Sequence, residues 1–222
     1  MGKSKNSDLI RVFLVSKKQK ICLKNALNYV DIMPKERIKQ FKRMQKQGDR
    51  LNCILSYLTL YYALKKFKGI NNPPIFIYDK NKKPNLTLPN ISFNISHTKN
   101  IVAVSISKNP VGIDAETKRP INLKIAKKIC CHNEYKKFIR SCNKENFIFS
   151  TWTKKEAFCK RKSISIFNNF SKIDSTSLKN TKSFFYDNSA ISISHNKSFR
   201  LKVFLIRNPV WYNLKYINRH KV

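Results

Sequence analysis

Acidic residues are scarce in this chain: 12 Asp and Glu stand against 46 Lys and Arg, for a formal charge of +34 over 222 residues. Glycine is also scarce, at 4 residues, while Lys, Asn, Ile and Phe abound, a profile that A/T-rich coding sequence also produces. The cysteines (Cys22, Cys53, Cys130, Cys131, Cys142, Cys159) include no C-x-x-C pair. That spacing argues against a disulfide framework, which a chain of this length does not need, and predicts reduced, structural thiols. Cys130-Cys131-His132 has no second pair of soft ligands at zinc-like spacing and reads as helix-end residues. Long apolar runs are missing too. The longest uncharged stretch, Leu51 to Leu64, is too short to span a bilayer and reads as a buried helix. The start joins no basic segment to an apolar run and a small-residue cleavage site, and Asn6 stands where an acylation signal needs a hydroxyl. The expected address is the cytoplasm, without membrane contact.

Hydrophobic residues at 41% predict a globular protein with a sizeable core, in one large domain or two small ones. The basic charge invites a nucleic-acid-binding reading, because such a surface attracts phosphate backbones whatever their sequence. The lysines are spread along the chain rather than gathered in one tail, which weakens that reading, and the same surface would steer any acidic partner.

Periodicity and breakers predict a strand at Arg11 to Val15, then a helix opened by Pro34 and continued over Lys35 to Lys46. A longer helix over Asp49 to Lys68 ends at Gly69 and Asn71-Asn72-Pro73-Pro74. Strands follow at Ile75 to Tyr78, Ile91 to Ile95 and Ile101 to Ser107. The second half begins with the strand at Gly112. Its helices are expected at Leu123 to Lys128, Glu134 to Arg140 and Glu145 to Arg161, and its strands at Ser183 to Tyr186, Ile191 to Ile193 and Arg200 to Ile206. Ile95-Ser96-His97-Thr98-Lys99 recurs as Ile193-Ser194-His195-Asn196-Lys197 at an offset of 98, and Asn109-Pro110-Val111 as Asn208-Pro209-Val210 at 99. This echo suggests two similar halves.

Against so basic a background, clustered acids need a reason. Asp114 and Glu116 alternate along a strand and so point to one face. Trp152, Glu156 and Lys160 recur every four residues and share a helix face. Three carboxylates with neither His nor Cys among them suit Mg²⁺, completed by water and substrate phosphates. Taken singly, Glu156 and Lys160 also fit an ordinary exposed i,i+4 pair, and Asp114 and Glu116 fit edge-strand charges.

These residues carry a resemblance. Val111-Gly-Ile-Asp114-Ala-Glu116 and Trp152-Thr-Lys-Lys-Glu156-Ala-Phe-Cys-Lys160 resemble the G-[IV]-D-x-E strand and W-x-x-K-E-[AS]-x-x-K helix of the 4′-phosphopantetheinyl transferase superfamily, of the two-domain, monomeric, surfactin-synthetase-activating type. Phe93-Asn-Ile-Ser96-His97, Lys83-Pro84 and Asn133-Glu134-Tyr135 fit the same order, so the likeness runs from about Pro34 to about Lys160. It implies an α+β (α/β) fold of two similar subdomains about a pseudo-twofold axis: residues 1–109 contacting the coenzyme A nucleotide, and residues 110–222 carrying the metal carboxylates and catalytic helix.

The activity implied is transfer of the 4′-phosphopantetheine arm of coenzyme A to a serine of an acidic acyl or peptidyl carrier protein, releasing adenosine 3′,5′-bisphosphate. The carrier could serve fatty-acid, lysine or secondary-metabolite biosynthesis. On this resemblance Asp114, Glu116 and Glu156 hold Mg²⁺, and Lys160, Ser96 and His97 meet phosphate oxygens. Glu134 takes the serine proton, directly or through a metal-bound water. Arg50 and Lys83 contact the nucleotide, and one or more of Lys35, Arg37 and Lys39 meets the 3′-phosphate. His195 keeps the plain reading of a strand-end turn residue. Two departures stand out: Lys82 replaces the usual Gly of G-K-P, and no glycines follow Lys160. The competing readings are the nucleic-acid-binding module and a catalytically inactive descendant acting through protein contacts.

Overall fold

The computed structural model describes residues 7–18, 23–165 and 170–206. The Met1-Gly2 start, Cys22 and the Asn208-Pro209-Val210 part of the echo lie outside them.

Strand β1 (Asp8–Ser16) is apolar and buried over residues 12–15, as expected of a strand covered on both faces. It pairs antiparallel with β5 (Ile101–Ser107) and parallel with β9 (Phe199–Ile206). With β4 (Ser92–His97) outside β5, the sheet order is β4-β5-β1-β9. A second sheet has the order β6-β8-β7, from Val111–Thr117, Ser189–His195 and Thr181–Tyr186, all antiparallel. A short hairpin joins β2 (Phe76–Tyr78) to β3 (Pro84–Leu86).

Alternation along β1 divides the core. Phe13 and Val15 face α3 (Gln47–Lys68), together with Val102, Val104 and Ile106 of β5. Ile10, Val12 and Leu14 face the other way, onto Val111, Ile113, Ile191 and Ile193 of the second sheet. Each such side chain, fully buried, contributes about 1.5–3 kcal/mol of transfer free energy. A third cluster lies under α4 (Leu123–Ile129), α5 (His132–Arg140) and α6 (Lys144–Lys162), built on Phe138, Ile148 and Phe149. Two short helices, α1 (Leu23–Leu27) and α2 (Lys35–Arg43), precede α3.

Helix ends follow local chemistry. Gly69 closes α3 in the left-handed region (φ 66°), its N–H meeting the Lys65 carbonyl at 3.2 Å while the Ile70 N–H meets that of Leu64 at 3.3 Å. The Asn143 side chain caps α6 by accepting the Asn146 N–H at 2.9 Å. Cys130 and Cys131 are the C-cap of α4 and the N-cap of α5, so the Cys130-Cys131-His132 run is a helix junction, and the five described cysteines are free. No helix among the described residues is long and apolar enough to cross a membrane.

The order strand, three helices, strands occurs twice, first from β1 and then from β6. The last described strand of the second half, β9, completes the sheet of the first.

Candidate active site

The two sheets are joined by side chains. β6 is an edge strand, and its outward N–H groups at Val111, Ile113 and Ala115 are accepted by Ser92 Oγ (3.3 Å), Asn94 Oδ1 (2.9 Å) and Ser96 Oγ (3.2 Å) of β4. The strand period of two explains the Phe93-Asn-Ile-Ser96 motif: the polar residues face β6, while Phe93 and Ile95 belong to the apolar core around α3.

Helix α6 packs across β6 at Gly112. A Cβ there would stand 2.0 Å from the Ala157 carbonyl oxygen and 2.6 Å from the Arg161 nitrogen. This close approach brings Glu156 and Lys160 over Asp114 and Glu116, in a cleft of about 580 Å³ that His97 and Ser96 also line. The six residues that the sequence assigns to metal and phosphate contacts at this end are therefore gathered in one place.

Asp114 sits at the centre, only 4% exposed. Its Oδ1 accepts the Lys160 ammonium at 2.7 Å and the Ser96 hydroxyl at 3.0 Å, and Lys160 also reaches Ser96 Oγ at 3.1 Å. Its Oδ2 is buried with no hydrogen-bond partner among the described residues. Burial and the Asp114 carboxylate raise the Glu116 pKa above the usual carboxylate range, and the same causes push Glu156 up to about 7. Arg119, 3.5 Å from Glu116, is a half-exposed counter-charge held over the Trp152 and Phe149 rings. An orphaned buried carboxylate oxygen beside two carboxylates that resist ionisation fits a bound divalent cation. All the donors are hard oxygens, as Mg²⁺ requires.

His97 lines the cleft as an exposed residue. Partial burial, with the Lys17 and Lys160 charges, lowers its pKa below the ordinary value and favours the neutral imidazole.

Three expected site residues lie elsewhere. Glu134 is fully buried, paired with Lys155 Nζ at 2.5 Å, and accepts the Cys131 and Ser175 N–H groups at 2.7 Å each. It is not among the residues that line the cleft, and its oxygens are engaged in fixing the start of α5. Arg50 is turned away, its Nε donating to the Met44 carbonyl at 2.7 Å and its guanidinium lying over Phe41. Lys83 reaches a neighbouring cleft, where its ammonium caps the α6 carbonyls of Lys160 (2.7 Å) and Arg161 (3.4 Å).

Of Lys35, Arg37 and Lys39, Arg37 lines the main cleft. Sequence reasoning missed Asp49, Asn52 and Ser56, which line it from α3. Their spacing of i, i+3 and i+7 in an otherwise apolar helix was the available signal. His195 is 1% exposed, with Ser107 Oγ 3.3 Å from Nε2 and the Lys197 carbonyl 3.0 Å from Nδ1, in keeping with a structural turn residue.

The cleft gathers carboxylates and a lysine, a donor set that suits a divalent cation and phosphate groups. Residues 110–205, somewhat under half of the chain, match the 4′-phosphopantetheinyl transferase superfamily model. The chain is 36% identical over 76 residues to the 4′-phosphopantetheinyl transferase Sfp of Bacillus subtilis (strain 168), covering 33% of this chain and 34% of the relative. It is 34% identical over 131 residues to the 4′-phosphopantetheinyl transferase gsp of Aneurinibacillus migulanus, covering 57% and 54%. The chain thus spans between a third and somewhat over half of the length of these curated relatives.

Proposed function

We propose that this protein transfers 4′-phosphopantetheine from coenzyme A to a serine of an acidic acyl or peptidyl carrier protein, as a Mg²⁺-dependent enzyme of the cytoplasm acting as a monomer. Residues 1–109 and 110–222 are its two pseudo-repeat halves. The observation that carries the reading is Asp114, with one oxygen on Lys160 and the other buried without a partner, between Glu116 and Glu156.

In this reading Asp114, Glu116 and Glu156 hold the Mg²⁺, which when bound neutralises pyrophosphate charge. Lys160 and the Ser96 hydroxyl face the same phosphate oxygens, and neutral His97 donates one ring N–H to them. The serine oxygen forms a bond to the phosphorus that bears the pantetheine arm. The bond from that phosphorus to the bridging oxygen breaks, and adenosine 3′,5′-bisphosphate leaves with the electron pair. The serine proton goes to a carboxylate of the cleft, because Glu134 is sealed away from it. The abundant lysines draw the acidic carrier to the cleft mouth.

Intact-protein mass spectrometry of an apo carrier incubated with the protein, coenzyme A and Mg²⁺ tests this. The expected result is a gain of the phosphopantetheine mass that is lost with EDTA and with Glu156→Ala. If acyl and peptidyl carriers alike stay unmodified and the protein binds no coenzyme A, the reading is overturned in favour of a basic binding module, which would tolerate Asp114→Ala.

A further inference from the structure

The side-chain ladder between β4 and β6 stops at the site. Its last rung among the described residues is Ser96 Oγ on the Ala115 N–H. Beyond it, one wall of the cleft continues through His97 into the β4–β5 turn, and the other through Glu116 and Thr117 to Lys118. A third segment spans that gap: the two-residue turn Asp187-Asn188 between β7 and β8. Asn188 meets the Glu116 wall, its carbonyl accepting the Lys118 N–H at 2.8 Å and its amide donating to the Lys118 carbonyl at 3.4 Å. Asp187 meets the other sheet. Its carbonyl accepts the Asn100 amide at 3.1 Å, its Oδ2 accepts the Ser16 hydroxyl at 2.6 Å, and its Oδ1 pairs with the Lys18 ammonium. The end of β1 is in turn tied to the His97 turn. The Lys17 N–H donates to the Asn100 carbonyl at 2.7 Å, and its ammonium donates to the Thr98 carbonyl and to the Asn52 side-chain oxygen on α3.

Both turn residues have positive φ, 48° and 55°, as a tight hairpin loop requires. That geometry does not need a carboxylate at position 187, since Asn or Gly closes such a loop equally well. Yet the Asp187 side chain is only 9% exposed, whereas its partner Lys18 is 66% exposed. Burying a carboxylate is costly, and the two donors at the end of β1 offset that cost. Burial opposes ionisation of Asp187, but the Lys18 and Ser16 contacts hold its pKa below the ordinary carboxylate value.

What this linkage controls follows from what each wall carries. Asp114, Glu116 and Glu156 all belong to the second sheet and its helix α6. Ser96 and His97 belong to the first sheet. A ligand that touches both walls feels their spacing, and a cation held by one wall does not.

We propose that Asp187 is a positioning residue: by clamping the β7–β8 turn to Ser16 and Lys18, it fixes the spacing of the His97 and Glu116 walls, and with it the fit of the donor's pyrophosphate across the cleft. This rests on the transferase reading above.

The test compares calorimetric binding of coenzyme A in Mg²⁺ with binding of Mg²⁺ alone, on the full-length protein well below its Tm. Asp187→Gly suits the positive φ and deletes the carboxylate. It is expected to weaken coenzyme A about tenfold, the scale of one hydrogen bond to a charged group, and to leave the Mg²⁺ affinity within about twofold of wild type. Asp187→Asn keeps an acceptor for Ser16 and is expected to recover part of the coenzyme A affinity. Equal weakening of coenzyme A and Mg²⁺ would mean a general loosening of the second sheet and overturn the proposal. A lowered Tm with both affinities unchanged would make Asp187 merely structural and overturn it too. If the wild-type protein binds no coenzyme A, the transferase reading itself falls; if it binds coenzyme A and Asp187→Gly binds it equally well, only the clamp falls.

Discussion

Lys155 and Glu134 form an ion pair in which neither side chain has any solvent exposure, with 2.5 Å between ammonium and carboxylate. Lys155 also donates to the Ile129 and Phe170 carbonyls at 2.7 Å each, so one ammonium ties the end of α4, the start of α5 and the chain beyond α6. Removing either partner leaves a buried charge uncompensated, at about 3–5 kcal/mol. Lys155→Met and Glu134→Gln are each expected to lower the unfolding free energy read from urea denaturation by that order, with the double variant losing less than the sum. A stable Glu134→Gln protein with abolished turnover would instead return Glu134 to the chemistry.

Gly112 is where strand and helix touch. An alanine methyl must displace the Ala157 carbonyl and the Arg161 backbone, neither of which is a flexible side-chain end. Gly112→Ala is expected to cost about 3 kcal/mol or more, as overpacking at backbone does, and to separate Glu156 from Asp114. Thermal unfolding and Mg²⁺ binding would both report it.

Lys82 has φ 61°, in the left-handed region. Its backbone N–H meets the Asp79 carbonyl at 2.9 Å in a tight turn, which explains why a Gly suits this place. Lys82→Gly should stabilise the fold by about 1 kcal/mol, read from chemical denaturation. No gain would mean that the turn relaxes without help.

Glu156 gives a pH dependence. Its pKa is raised to about 7 by burial and by Asp114, so between the ordinary value of 4.5 and 7 the folded state binds more protons than the unfolded one. Without metal, its contribution makes stability fall as pH rises through that window. Mg²⁺ stabilises the ionised carboxylates, so its effect on Tm is expected to be larger at about pH 8 than at about pH 5. Glu156→Gln should flatten the slope and remove most of the Mg²⁺ shift. A Mg²⁺ shift independent of pH would show that the cation binds elsewhere.

Much of this was legible in local pattern. The alternation in Val102-Ala-Val104-Ser-Ile106 places β5 at its observed bounds, and Gly69 marks the end of α3. The three-residue strand β3 and the five-residue helix α1 went unseen, because segments so short carry no periodicity. In the site, Asp114, Glu116, Glu156 and Lys160 could be read because strand and helix spacing set which way side chains point. Glu134, Arg50 and Lys83 stand outside the lining of the main cleft, and a motif position does not say what will meet the side chain. Their partners, Lys155, the Met44 carbonyl and the end of α6, are fixed by packing between distant segments. Lys17 and Asn52, 35 residues apart, meet for the same reason.

The parallel pairing of β1 with β9 bears on how the chain reaches its fold. Ile10 lies opposite Leu201, and Val12 opposite Val203. A ribosome releases the first strand long before its last neighbour, so during synthesis β1 has only β5 to pair with and keeps one edge open. Parallel contacts over such a separation close slowly. An exposed edge in a nascent chain invites pairing with other chains. The interval between emergence of residue 16 and residue 206 is therefore the period in which this protein is most prone to aggregate, and its yield on expression should depend on how quickly translation proceeds through the second half.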